Sequence, residues 1–137
     1  MSDRYRRVCA RFVPAIVYIA AAPTVGGAAA SVLDFDKWMQ RIERSCQAVQ
    51  KDLQRADAAA ALSDAQEIQR LYVLLESYFA DKAKYDDALH LSREGRERAE
   101  QVVAAITTND LTSAARAAAQ ITRDCRECHN EFKPLEP

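Results

Sequence analysis

The sequence predicts an all-α domain, an up-down-up-down bundle of four helices, and three observations carry that prediction. Between residues 28 and 133 there is no proline and a single glycine, Gly95, so almost nothing in that stretch breaks a helix. Alanine abounds there, and the alternation of β-branched and polar residues that marks a half-buried strand is missing. Apolar residues recur every three or four positions in four separate runs. Short connections join these runs, which favours antiparallel neighbours.

The first helix spans about residues 34–56, with Phe35, Trp38, Met39, Ile42, Cys46, Val49 and Leu53 on one stripe. The alanine-rich run 57–62 reads as a helix end and turn. Ser63 with Gln66 makes a capping box for the second helix, which runs to about Ala80 and turns Ile68, Leu71, Tyr72, Leu75 and Phe79 inward. The third helix, about 85–106, presents Ala88, Ser92, Gly95, Ala99, Val102 and Ile106. Asn109 or Asp110 caps the fourth, whose stripe is Leu111, Ala114, Ala118, Ile121, Cys125 and Phe132; Pro134 ends it. Gly95 sits mid-helix at a cost of about 1 kcal/mol relative to alanine. It faces inward, where it either admits a close neighbour or is simply tolerated.

The first thirty residues differ from the rest. Arg4, Arg6, Arg7 and Arg11 open the chain, residues 12–25 are apolar and uncharged, and Ala28, Ala29 and Ala30 are small. That is the pattern of a secretory signal cut before Ser31, which leaves residues 31–137 as the mature domain. The apolar run has 14 residues and contains Pro14 and Pro23, against about 20 residues for a bilayer span. No stable membrane span is therefore expected after cleavage. Four of the 19 basic and one of the 20 acidic side chains go with the signal, so the mature domain carries −4. No basic stripe suggests nucleic acid as a partner.

Cys125-Arg126-Glu127-Cys128-His129 is a CxxCH sequence, the pattern of c-type haem attachment. Two thiols must reach the two vinyl groups of one porphyrin, and the adjacent imidazole must meet the iron. Positions three and four apart share a helix face, so all three side chains project together. An export signal agrees with this chemistry, which takes place outside the cytoplasm. Other readings fit less well. A structural zinc site needs four ligands, and only Cys46 and His90 could join the motif. A thioredoxin-type pair belongs at a helix start in a βαβ setting, and a plain Cys125–Cys128 disulfide leaves His129 without a role.

Only eight residues follow His129 and none is methionine, so a second protein ligand to the iron must lie upstream. A four-helix bundle with CxxCH in its last helix resembles the class II cytochromes c, the cytochrome c′ family. Cys125, Cys128, His129 and the following Phe132-Lys133 carry the resemblance, matching the family's CHxxF/Y-K/R ending. It covers residues 34–134 in helix order, although only the C-terminal motif is specific. The resemblance implies a periplasmic protein with one haem c, attached through Cys125 and Cys128, with His129 as proximal ligand. It also implies one of two types, either low-spin with a first-helix methionine as sixth ligand, or five-coordinate and open to small gases. Members commonly dimerise through their first two helices, so a homodimer is compatible with it.

Met39 is the one methionine of the mature domain and lies on the core stripe at the same end as His129. It is the candidate distal ligand; methionine is equally a common core filler. His90, the other histidine, lies nearly opposite the stripe of Ala88, Ser92 and Ala99 and is expected to face solvent. Cys46 is left unpaired on the core stripe, and Trp38 either shields a haem edge or packs in the core. Arg123, Arg126 and Lys133 are candidates to meet haem propionates or a partner surface. The leading expectation is an electron carrier serving periplasmic redox partners, not an enzyme. The alternative is a five-coordinate protein that binds nitric oxide or carbon monoxide as sensor or scavenger. Peroxidase or nitric-oxide chemistry would want a distal His or Arg pair, and none is visible.

Overall fold

The structure, a computed structural model, describes residues 30–80 and 82–132. The expected signal segment, Lys133 and Pro134 lie outside the described residues. Four helices make up nearly all of the rest: α1 (Val32–Gln54), α2 (Ala58–Ala80), α3 (Asp86–Thr107) and α4 (Leu111–Phe132). A single 3₁₀ turn, Ala83–Tyr85, stands between α2 and α3, and no strand occurs among the described residues. Each helix packs on its chain neighbour and α1 closes against α4, so the four surround one core as a four-helix bundle. No helix among the described residues is long and apolar enough to cross a membrane.

The apolar stripes meet as their spacing requires. Ile42, Val49, Ile68, Leu71, Val102 and Ile121 are almost wholly enclosed, and Ala61, Ala65, Ala99 and Ala114 have no exposed surface. Gln50 donates to the Thr122 hydroxyl at 2.7 Å, joining α1 to α4, and Arg96 reaches from α3 to Glu76 of α2 at 2.7 Å. Such partly exposed pairs fix register more than they stabilise.

The helix ends are set by local chemistry. Ser31 accepts from the Asp34 amide at 3.2 Å while the Asp34 carboxylate accepts from the Ser31 amide at 3.0 Å. This capping box starts α1 two residues before the apolar spacing alone would. It also holds the Asp34 carboxyl below its ordinary value, through the Ser31 side chain first and its backbone second.

The α1–α2 and α3–α4 turns use one device twice. Ala56 and Asn109 take left-handed conformations, with φ of 57° and 59°. The Asp57 amide donates to the Asp52 carbonyl at 2.9 Å and the Ala56 amide to Leu53 at 3.1 Å. Asp110 and Asn109 repeat the pattern to Ala105 and Ile106 at 2.8 and 2.9 Å. Both are Schellman closures. The same two aspartates then cap the next helix, Asp57 accepting from Ala60 at 3.1 Å and Asp110 from Ser113 at 3.0 Å.

One expectation is corrected here. The second helix does not begin at a Ser63–Gln66 box; it begins at Ala58, and Ser63 lies exposed on its side. Asp57 already caps the chain, and alanine, the best helix former, makes residues 58–62 the opening turn. Of the two candidates for capping the fourth helix, Asp110 fills the role and Asn109 supplies the left-handed turn.

Candidate functional site

Where α1 and α3 begin and α2 and α4 finish, the bundle encloses a cavity of about 330 Å³, within the range of small-molecule sites. All four helices wall it: Phe35 and Met39 from α1, Tyr72, Leu75 and Phe79 from α2, Ala88, Leu91 and Ser92 from α3. Cys125, Cys128 and His129 complete it from α4. Carboxylates of Asp36, Glu43, Glu94 and Asp124 also border it. Asp124 is ion-paired with Arg98 of α3 and accepts from Gln120 at 2.7 Å.

The α4 spacing brings the motif here. Ala114, Ala118 and Ile121 are buried along one face, and Cys125, Cys128 and His129 continue that face beyond the filled core. All three are half-buried. Met39, also half-buried, belongs to the same cavity wall as His129, as the antiparallel order of the helices predicts.

Cys125 has two polar neighbours. The Tyr72 hydroxyl lies 3.6 Å from its Sγ, and the thiol of Cys46, buried on α1, is the other polar group that bears on it. Donation from Cys46, opposed by burial and aided by Tyr72, lowers the Cys125 thiol to about 7. Cys46 moves the opposite way, raised by that shared hydrogen bond and then by burial. Burial, then the charge of Cys125, pushes Cys128 up to about 11. Burial also raises the Tyr72 phenol.

Gly95 explains how Tyr72 reaches this position. A Cβ on Gly95 would overlap the Tyr72 ring, so the glycine of α3 makes the pocket into which that ring lies. The close neighbour is therefore a side chain of α2.

His90 is exposed and stands 3.6 Å from Glu94, away from the core, as its helical phase predicts. Trp38 packs edge-on to Tyr78 at 6.4 Å, in an aromatic cluster with Phe35 and Phe79, and is not among the residues walling the cavity. Arg123 donates to Gln120 at 2.9 Å and borders a shallow groove between α3 and α4, not the cavity. Arg126 is exposed. Tyr72 escaped the sequence reading as a site residue. Its spacing marked it as core, and only the assembled bundle shows its hydroxyl reaching across to Cys125 of α4.

Comparison with family models, curated proteins and solved structures finds no match to this chain. Among the described residues, no three His, Cys, Asp or Glu side chains are grouped to hold a metal ion.

Proposed function

We propose that the chain is an exported c-type cytochrome of the class II kind, a periplasmic electron carrier and not an enzyme. One observation carries this reading: both thiols and the imidazole of a CxxCH motif, together with the sole methionine of the domain, wall one largely apolar cavity. The donor set suits this group. An iron porphyrin brings four nitrogen ligands of its own, so it needs one or two protein ligands and no cluster of three.

When bound, the haem supplies a ferric–ferrous couple whose potential the protein sets through axial ligands and burial. The chain's own residues would do the following. Cys125 and Cys128 tether the ring by thioether bonds, His129 takes the proximal side, and Met39 offers a thioether sulfur from the facing helix. Phe35, Leu75, Phe79 and Leu91 exclude water. Asp36, Glu43, Glu94 and Asp124 on the cavity wall would repel the acidic groups of a haem placed beside them.

The test begins with the mass of the secreted protein, which should include one covalently bound haem. Optical spectra of the oxidised and reduced forms should then be low-spin, with a sulfur-to-iron band lost in Met39→Ala. Absence of covalent haem overturns the reading. A high-spin spectrum that shifts promptly with carbon monoxide replaces the carrier by the gas-binding alternative.

A further inference from the structure

The shallow groove between α3 and α4 has no part in the proposed haem chemistry, and its charge is opposite to that of the domain. Residues 31–137 hold 15 basic and 19 acidic side chains. The groove, of about 410 Å³, is walled by Arg98, Arg116 and Arg123 with the polar side chains of Gln101, Ser113 and Gln120, and by no carboxylate. Ala105 and Ala117 also line it, and side chains that small let another chain come close.

Two of the three cations are held in place. Arg123 donates from Nε to the Gln120 amide oxygen at 2.9 Å, and Gln120 donates in turn to one oxygen of Asp124 at 2.7 Å. Arg98 is ion-paired with the other oxygen of Asp124. One carboxylate thus serves two guanidinium groups. Arg116 and Arg123 form no ion pair among the described residues. Positive charge therefore remains uncompensated along the groove. Cations already ordered in this way lose little side-chain freedom on meeting an anion, and the guanidinium fork matches a carboxylate.

We propose that this groove is the docking site for an acidic partner protein, a segment of which lays its carboxylates against Arg98, Arg116 and Arg123.

The spacing favours a chain segment over a small anion. Arg116 and Arg123 stand two turns apart on α4, about 10 Å along the helix axis. A single carboxylate or phosphate meets one end of the groove, whereas a segment with separated acidic residues meets both. The position also gives docking a use. Asp124 belongs to the cavity wall as well as to the Arg98 pair, so a partner in the groove is separated from the cavity by one ion pair. That the partner would there exchange electrons rests on the cytochrome reading; the docking itself does not.

Fluorescence anisotropy of a labelled polyglutamate peptide of about ten residues, mixed with the secreted protein at low salt, tests the proposal. The peptide should bind despite the negative charge of the domain, and polyglutamine of the same length should not. Salt at about 0.5 M should abolish the binding. Arg116→Glu and Arg123→Glu should each weaken it by about three- to tenfold. Arg44→Glu, the same charge change at an exposed position of α1, should weaken it by less than about twofold. Arg116 is exposed and unpaired, so its reversal tests the site with helical content unchanged. No binding at low salt overturns the proposal. So does equal weakening by all three variants, because the peptide would then sense only net charge. Displacement by millimolar inorganic phosphate, but not by chloride at the same ionic strength, overturns it in favour of a small-anion site. The mass of the same preparation judges the haem separately. A chain without haem that binds the peptide at the groove loses the cytochrome reading and keeps the docking site; a haem-bearing chain that does not bind loses the docking site alone.

Discussion

At the end of the bundle remote from the motif, Leu53, Ala61, Ala65, Ile106 and Ala114 close the interior. At the motif end, Phe35, Leu75, Phe79 and Leu91 stand around a cavity. Alanines of α2 and α4 thus help fill the closed end, whereas at the motif end bulky side chains, with Ala88 and Ser92, stand around open space. Alanine interfaces let backbones approach and fill the gap between helices, whereas bulky residues hold helices apart and leave a void unless something enters. The difference teaches where the chain is finished by its own side chains and where its core has room for another group.

The most forceful way to break this contrast is to enlarge a buried alanine at each end. Ala61→Leu should destabilise the domain by about 1–3 kcal/mol through overpacking and lower its urea midpoint. Ala88→Leu, equally buried but on the cavity wall, should cost less than about 1 kcal/mol because the added carbons enter open space. It should also prevent haem attachment. Equal losses at the two sites would show that the ends are packed alike.

A smaller effect sharpens the account of the closed end. Ala56 holds a left-handed conformation that strains an L-residue by roughly 1–2 kcal/mol, partly offset by glycine's greater chain entropy. Ala56→Gly should therefore stabilise by about 0.5–1 kcal/mol, read as a higher urea midpoint. Asn109→Gly should gain only a few tenths of that unit, since asparagine tolerates the same region.

The third test reads the open end by pH. In the haem-free reduced chain, alkylation of Cys125 should have a midpoint near pH 7 and that of Cys128 near 11. The sign for stability follows from the same shifts. Cys125 lies below its ordinary value of 9.0, so its contribution is fully present above pH 9 and lost as pH falls through about 7. Cys128 lies above 9.0, so its contribution is present below pH 9 and lost as pH rises through about 11. Cys46→Ala should move the Cys125 midpoint upward, because the largest lowering cause is removed. An unmoved midpoint would mean that the two thiols do not share a hydrogen bond.

Much of this was legible in the sequence, for identifiable reasons. The four helices follow from the spacing of Ile42, Val49, Ile68, Leu71, Val102 and Ile121, which depends on period alone. The common position of Met39 and Cys125-to-His129 follows from helix order. The start of α2 was misplaced because an all-alanine turn has no polar–apolar contrast and Ala56 lacks the glycine that usually marks a left-handed stop. Gly95 was correctly turned inward, but its partner was not legible. The Tyr72–Cys125 contact depends on the rotation of two helices about their own axes, to which spacing within one helix is blind.

The paired turns at the closed end act mechanically as well as locally. Ala56–Asp57 and Asn109–Asp110 each stop one helix and start the next within three residues, leaving little slack at that end. A helix of 23 residues is a lever about 34 Å long. Opening it by about 5° about those turns would move its far tip by about 3 Å. The α2 and α3 tips are tied to each other by the Ala83–Tyr85 turn, so α1 and α4 are the arms of a pair of tongs. A flat ring could enter beside them with small bending at the hinge and little disturbance of the alanine-packed grip.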